Sequence, residues 1–366
     1  MKKFLSMMLT TILVISMSTV AFAANVDNSN GNDASATDNT VVIKKEYTAT
    51  GDTSKSPAEI FKFVIKAGEV LDGGVDADGE VITQAPDATI GTVTYSEGQA
   101  GSENAVQEIV VKLPSYEAVG IYYYTITETA GDTAGVTYFD DVITLIVTVT
   151  QNEKGQLVFA AVHCESPVSS SYEEGSTKTD TFTNNYAAGT LEVSKTVTGN
   201  MGDTSKYWKF EVTFTAPQDA EGNYLTVGAP ITINTDELSE GNLTTMTAWK
   251  NGKATATVYV KDGETISFEN IPYGVSYEVV EEEANKDGYT TTVSEVDADG
   301  KKTPVIEANG VINVDGPDDV FAFTNSKTKE VDTGITLDSA PYMMMLIIAA
   351  AGIAFFLTKK RRYTEN

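Results

Sequence analysis

The sequence predicts an all-β protein: two tandem Ig-like β-sandwich domains, flanked by a signal peptide and a C-terminal sorting signal with one transmembrane helix. Three observations carry this. Short runs rich in Val, Ile and Thr are punctuated by turn signals at roughly ten-residue spacing, as in a sandwich. Helical or unbroken apolar character is confined to the two ends of the chain. The two halves also repeat the same residue types in the same order, as two related domains would.

Residues 1–23 read as a signal peptide. Lys2 and Lys3 precede an apolar stretch, and Ala21-Phe22-Ala23 fits the small-x-small cleavage rule. Residues 24–40 are a polar leader rich in Asn, Asp, Ser and Ala, expected to be flexible. Residues 41–187 form the first domain. Within it, a strand at 142–150 turns through Asn152-Glu153-Lys154-Gly155 into a second at 156–162. Tyr186-Ala187-Ala188-Gly189 marks the junction. Residues 188–328 form the second domain, where 254–260 leads through Lys261-Asp262-Gly263-Glu264 into 265–269. A further strand at 289–296 ends at the Asp297-Ala298-Asp299-Gly300 turn. Residues 329–366 are the sorting signal: Glu330, Val331, Asp332, Thr333 and Gly334, a polar spacer, a transmembrane span at 342–358, and the basic tail 359–362. That span is at the short end of what crosses a bilayer, and the basic tail would keep its end in the cytoplasm.

Composition narrows the function. The chain holds 25 Lys+Arg against 52 Asp+Glu, a net charge of −27. Such a surface repels nucleic acid, and no basic patch interrupts it. Cys164 is the only cysteine, so no intrachain disulfide can form. An exported protein under mechanical or proteolytic stress then needs another staple.

The repeat supplies one. Residues 40–45 match 190–195, 124–128 match 277–281, and Phe182-Thr183-Asn184 matches Phe323-Thr324-Asn325. Side chains alternate faces along a strand, so parity selects the inward members. Val41 and Ile43 choose Lys45, and Leu191 and Val193 choose Lys195. Phe182 chooses Asn184, and Phe323 chooses Asn325. Ile126 shares a face with Glu128, and Val279 with Glu281. An amine, a carboxyl and a carboxamide are the parts of a Lys–Asn isopeptide crosslink. A buried lysine has its pKa lowered and becomes a neutral nucleophile; a buried carboxyl stays protonated more readily. The protonated glutamate is expected to donate to the Asn carbonyl oxygen while shuttling protons. The fold would supply the effective molarity that free groups lack. A single triplet is more simply a surface lysine, an edge Asn and a turn-proximal Glu. Two triplets in one order and one parity favour the chemistry.

Other signals carry less. His163 and Cys164 are adjacent and face opposite ways in a strand, which argues against a dyad. Asp76-Ala77-Asp78-Gly79-Glu80 lacks EF-hand spacing and reads as a turn. Asn270, before Ile271-Pro272, reads as a strand end. Tyr122-Tyr123-Tyr124 reads as packing. With no nucleophile–His pairing and no metal cluster, a hydrolase has no support, and neither cofactor nor metal is expected.

Residues 190–214 (TLEVSKTVTGNMGDTSKYWKFEVTF), 261–281 (KDGETISFENIPYGVSYEVVE) and the tail resemble the major (backbone) pilin of Gram-positive sortase-assembled pili, of the streptococcal T-antigen type. Its domains are similar to collagen-adhesin B-type isopeptide domains. Residues 124–135 (YTITETAGDTAG) resemble the pilin E-box but lack its Pro after Ala130. The tail resembles an LPxTG-like signal without Leu-Pro, and is nearer the Glu-Val-Pro-Thr-Gly variant with Asp332 in place of Pro. The resemblance implies Lys45–Asn184 and Lys195–Asn325 crosslinks, with Glu128 and Glu281 as catalysts of a single intramolecular turnover rather than of an enzymatic cycle. It implies cleavage by a sortase after Thr333 and transfer to a lysine of the next subunit. Lys178, in a polar segment, is the candidate; Lys261 opens a hairpin and is disfavoured. The implied partners are sortase, identical subunits, minor pilins, peptidoglycan and host surface molecules. The implied location is a wall-anchored surface pilus, reached through a membrane-bound precursor. The alternative is a wall-anchored, unpolymerised adhesin.

Overall fold

The computed structural model describes residues 39–51, 54–166, 177–235, 238, 244–313, 319–330, 342–351 and 353. The expected signal peptide, nearly all of the leader, Val331 to Gly334 and the basic tail lie outside the described residues. Residues 342–351 are helical. Among the described residues no helix is long and apolar enough to cross a membrane.

The rest is β. The first core is built from β1 (Thr40–Thr50), β2 (Glu59–Leu71), β3 (Thr89–Ile90), β4 (Val93–Tyr95), β5 (Val106–Lys112), β6 (Gly120–Thr129), β7 (Val136–Thr137), β8 (Val142–Gln151), β9 (Leu157–Ser166) and β10 (Thr177–Lys178). It is completed by the first half of β11 (Thr181–Thr198). The second core takes the rest of β11 with β12 (Trp208–Thr215), β13 (Thr232–Asn234), β14 (Thr245–Met246), β15 (Lys253–Val260) and β16 (Thr265–Pro272). It closes with β17 (Ser276–Glu281), β18 (Thr290–Val296), β19 (Lys302–Val305), β20 (Ala308–Val311) and β21 (Asp319–Ser326).

Among the described residues the strands form three sheets. One, β10-β9-β8-β6-β2-β4, belongs to the first core, and another, β14-β15-β12-β17-β20, to the second. The third, β19-β18-β21-β11-β1-β5-β3, serves both because β11 crosses from one core to the other. Each sandwich buries one face of each sheet and leaves the other toward water, which is why the strands alternate. In β15, Ala254, Ala256, Val258 and Val260 are buried between half-exposed residues. The three expected turns each carry a glycine in the left-handed region, Gly155 (φ 75°), Gly263 (φ 79°) and Gly300 (φ 78°).

The junction is a strand rather than a linker. Even-numbered residues Phe182, Asn184 and Tyr186 of β11 point into the first core; odd-numbered Leu191, Val193, Lys195 and Val197 point into the second. No extra residue is needed on β11 itself, because even and odd side chains of one strand point to opposite faces. The register irregularity opposite Gly189 to Leu191 lies on β16, which advances from Ile271 to Phe268 while β11 advances two residues.

Further backbone bonds tie the two halves. Ala134 N donates to Thr226 O (2.9 Å), Thr226 N to Asp132 O (2.8 Å) and Tyr273 N to Ala187 O (3.0 Å). Asn270, read from sequence as a strand end, is a latch between the cores. It is buried with φ 60°. Its Oδ1 accepts from Lys55 N (2.8 Å) and the Tyr186 hydroxyl (3.2 Å), and its Nδ2 donates to Lys55 O and Pro230 O (both 3.1 Å). The carboxamide's hydrogen-bonding capacity is thus used in full.

Candidate functional site

Each core brings a buried amine, a carboxylate and a carboxamide together in the same arrangement. In the first, β1 and β11 run parallel with Lys45 opposite Phe182, so Asn184 lies two residues further along on the same face. In the second, β11 and β21 run parallel with Lys195 opposite Phe323 and Asn325 two residues further. The glutamate comes from the opposing sheet in both cases, Glu128 paired with Phe63 and Glu281 with Phe210. The phenylalanines on the two sheets meet at 5.0 Å between ring centroids, Phe63 on Phe182 and Phe210 on Phe323. Parity and spacing in sequence thus become proximity through parallel pairing of the first and last strands of each sandwich.

Contacts follow the same plan. Lys45 Nζ donates to Glu128 Oε2 at 3.0 Å, and Lys195 Nζ to Glu281 Oε2 at 2.8 Å. Both lysines and both glutamate side chains are fully shielded from water. The Asn184 Nδ2 donates to Glu128 Oε1, and the Asn325 Nδ2 to Glu281 Oε1. Each carboxylate therefore bridges the amine and the amide nitrogen through separate oxygens. The sequence suggested the amide carbonyl as the partner of the glutamate; the structure turns the nitrogen to it. Aromatic faces complete the surroundings, with Lys45 Nζ 4.4 Å from the Phe61 ring centroid and Lys195 Nζ 4.6 Å from that of Trp208.

Burial sets the proton affinities. It lowers Lys45 to about 8 against the pull of Glu128, and raises Glu128 against the pull of Lys45. Burial also lowers Lys195, opposed by Glu281. A proton shared across each pair is therefore less firmly on the amine than in water, and the lysine is closer to a nucleophile.

The sites differ at the amine, where Lys45 Nζ also donates to Phe182 O at 3.3 Å, and at the carboxamide oxygen. Asn184 Oδ1 accepts from the main-chain N–H of Phe139 at 2.9 Å. Asn325 Oδ1 is buried and has no hydrogen-bond partner among the described residues. Phe139 carried no signal in the sequence, because a main-chain donor in a loop leaves no residue-type signature.

The remaining sequence candidates separate. Lys178 lies on the two-residue edge strand β10, opposite Glu165 of β9. Glu330 is exposed, while Val331, Asp332, Thr333 and Gly334 lie outside the described residues. Cys164 is buried and its thiol is pushed up to about 12, whereas His163 points away to Glu165 (3.3 Å). Asp76 Oδ1 accepts from Asp78 N and Glu80 N, closing its own turn. Tyr122 and Tyr124 are core residues.

Known proteins resemble both parts of the chain. Residues 41–187 match the family described as a Spy0128-like isopeptide containing domain, and residues 189–327 match a domain family of unknown function (DUF7601). A pilin of Streptococcus pyogenes serotype M1 is 31% identical over 271 residues, which cover 73% of this chain and 76% of that protein. The chain belongs to this pilin family. It is a structural pilus subunit, nearly all β like the major pilin of Streptococcus pyogenes, whose crystal structure aligns with a TM-score of 0.50 at 25% identity. That alignment covers 80% of this chain and 99% of the other. The pilus tip adhesin Cpa of Streptococcus pyogenes is 32% identical over 150 residues, 40% of this chain but 18% of the adhesin.

Proposed function

We propose that this pilin is the shaft subunit of a covalently polymerised, wall-anchored surface pilus, and that each sandwich welds itself shut once. The observation that carries the second part is the duplicated Lys–Glu–Asn cluster, built twice from the same strand register. In each, the lysine Nζ attacks the asparagine Cγ. The glutamate takes the amine proton through Oε2 and delivers one to the amide nitrogen through Oε1. Ammonia leaves, and an amide joins Lys45 to Asn184 or Lys195 to Asn325. Glu128 and Glu281 emerge unchanged, but each acts on one bond only, so the chain is not an enzyme in the usual sense.

Several finer assignments belong to the same proposal. Residues 1–23 direct export, 24–40 form the leader, 41–187 and 188–328 are the two domains, and 329–366 are the sorting signal. Sortase cleaves between Thr333 and Gly334 and passes the Thr333 acyl group to Lys178 of the next subunit, or finally to peptidoglycan. The edge position of Lys178 is consistent with an acceptor. Minor pilins and host surface molecules are the remaining partners.

Intact mass of the folded, signal-free chain tests the crosslinks. Two ammonia losses are expected, localised by peptide mapping to the two Lys–Asn pairs. A mass equal to the unmodified composition refutes them. Boiled cell-wall extracts test polymerisation: a high-mass ladder is expected, whereas the unpolymerised adhesin would run as one species.

A further inference from the structure

We propose that the main-chain N–H of Phe139 is an electrophilic donor that activates Asn184, making the first crosslinking site chemically distinct from the second. This rests on the isopeptide reading above and adds a component to it.

The hydrogen bond from Phe139 N to Asn184 Oδ1 is 2.9 Å long. An N–H can only donate, so it holds the carbonyl oxygen toward the loop and the leaving NH2 toward Glu128. The donor is fixed from both sides. Before it, the Tyr138 hydroxyl donates to Glu59 Oε1 at 2.6 Å. After it, Asp141 accepts from Val142 N (2.7 Å) and the Ser166 hydroxyl (3.1 Å). The Phe139 ring itself packs on Phe182, 5.0 Å between centroids. When Lys45 Nζ bonds to Asn184 Cγ, the carbonyl π pair moves onto Oδ1 as negative charge. Collapse restores the carbonyl and breaks the Cγ–Nδ2 bond, and the proton from Nζ leaves with Nδ2 as ammonia. A donor already aimed at that oxygen stabilises the charged intermediate without reorganisation. In the second site the corresponding oxygen, Asn325 Oδ1, is buried without such a partner among the described residues.

The test replaces one atom. The full chain is made by cell-free synthesis with phenyllactic acid at position 139, turning the amide into an ester and deleting only the N–H. Samples are quenched over time and both crosslinks are read by peptide mass. Ammonia loss at Lys45–Asn184 is expected to slow about 100-fold, the usual cost of one oxyanion donor. Loss at Lys195–Asn325 in the same molecules should be unchanged. Phe139→Leu, which keeps the N–H, should crosslink within a few-fold of the parent. Equal rates for ester and amide at the first site overturn the proposal, as does an equal slowing by Phe139→Leu, which would make the effect one of packing. If the unmodified chain never loses ammonia at the first site, the crosslink reading fails and this proposal with it. Should the ester chain not fold, scalar coupling across the hydrogen bond from Phe139 N to Asn184 Cγ decides, measured in a Lys45→Met chain. Its presence supports the donor; its absence overturns it.

Discussion

Lys45 and Lys195 are amines fully shielded from water, and the proposed crosslinking puts that burial to chemical use. A lone charge there would be expensive, and each is offset by a glutamate that is buried with it. Removing that partner should be severe. Glu281→Ala is expected to restore one ammonia mass, because the second crosslink cannot form. It should also destabilise the second sandwich by about 4–5 kcal/mol from the lost loop closure alone. Mass spectrometry and thermal melting check the two parts. The pH response has a definite sign. In an Asn184→Ala chain Lys45 stays free, with a folded value of about 8 against the ordinary 10.5. Below pH 8 both folded and unfolded states hold the proton, and the burial penalty is fully present. Between about 8 and 10.5 the folded state releases it first, so stability should rise with pH across that window. The crosslinked parent has no such amine to titrate. Chemical denaturation of both chains across the window checks this; a constant difference between them refutes it.

At the scale of elements, β11 matters most. It carries Asn184 of one cluster and Lys195 of the other on a single continuous strand. A slip of one residue would turn both side chains to the wrong face, so the unbroken alternation of β11 is needed for both clusters to exist together. Asn270 on β16 holds the neighbouring loop by both its backbone groups, Lys55 N and Lys55 O. Asn270→Gly keeps the positive φ without strain and deletes the side-chain bonds; it should lower stability by about 1–3 kcal/mol through the unsatisfied groups left behind. Asn270→Ala should cost more, since alanine resists φ near 60°. Melting curves of the two variants separate the terms, and equal losses would show that the backbone conformation contributes nothing.

For the whole molecule, the parallel pairing of first and last strands gives each crosslink a mechanical meaning. Load entering at Lys178 and leaving at Thr333 would run along β11 to Lys195 and cross directly to Asn325 on β21. Everything between Lys195 and Asn325 is bypassed. Single molecules pulled through these points should show no unravelling of the second sandwich, while Lys195→Ala should extend by most of its length. Full extension of the second sandwich in the unmutated chain would falsify the load path. Lys178→Ala should abolish the high-mass ladder in wall extracts without changing the two ammonia losses.

Much of this was written along the chain. Alternation in runs such as 254–260 revealed strands because a pleated backbone presents every second side chain to one face. The same parity selected Lys45 over Lys44 and Asn184 over Asn185, since a core admits few polar groups and those it admits must share a face. The duplicated order of amine, carboxyl and carboxamide singled out the six side chains that the structure brings together in two clusters. What one dimension could not hold is adjacency between distant segments. Nothing local says that β1 pairs in parallel with β11, that the supposed junction is an unbroken strand, or that Asn270 reaches Lys55. The Phe139 N–H was hidden for a further reason. Every residue except proline owns that donor, so its role comes solely from where the loop at 138–141 is held in space.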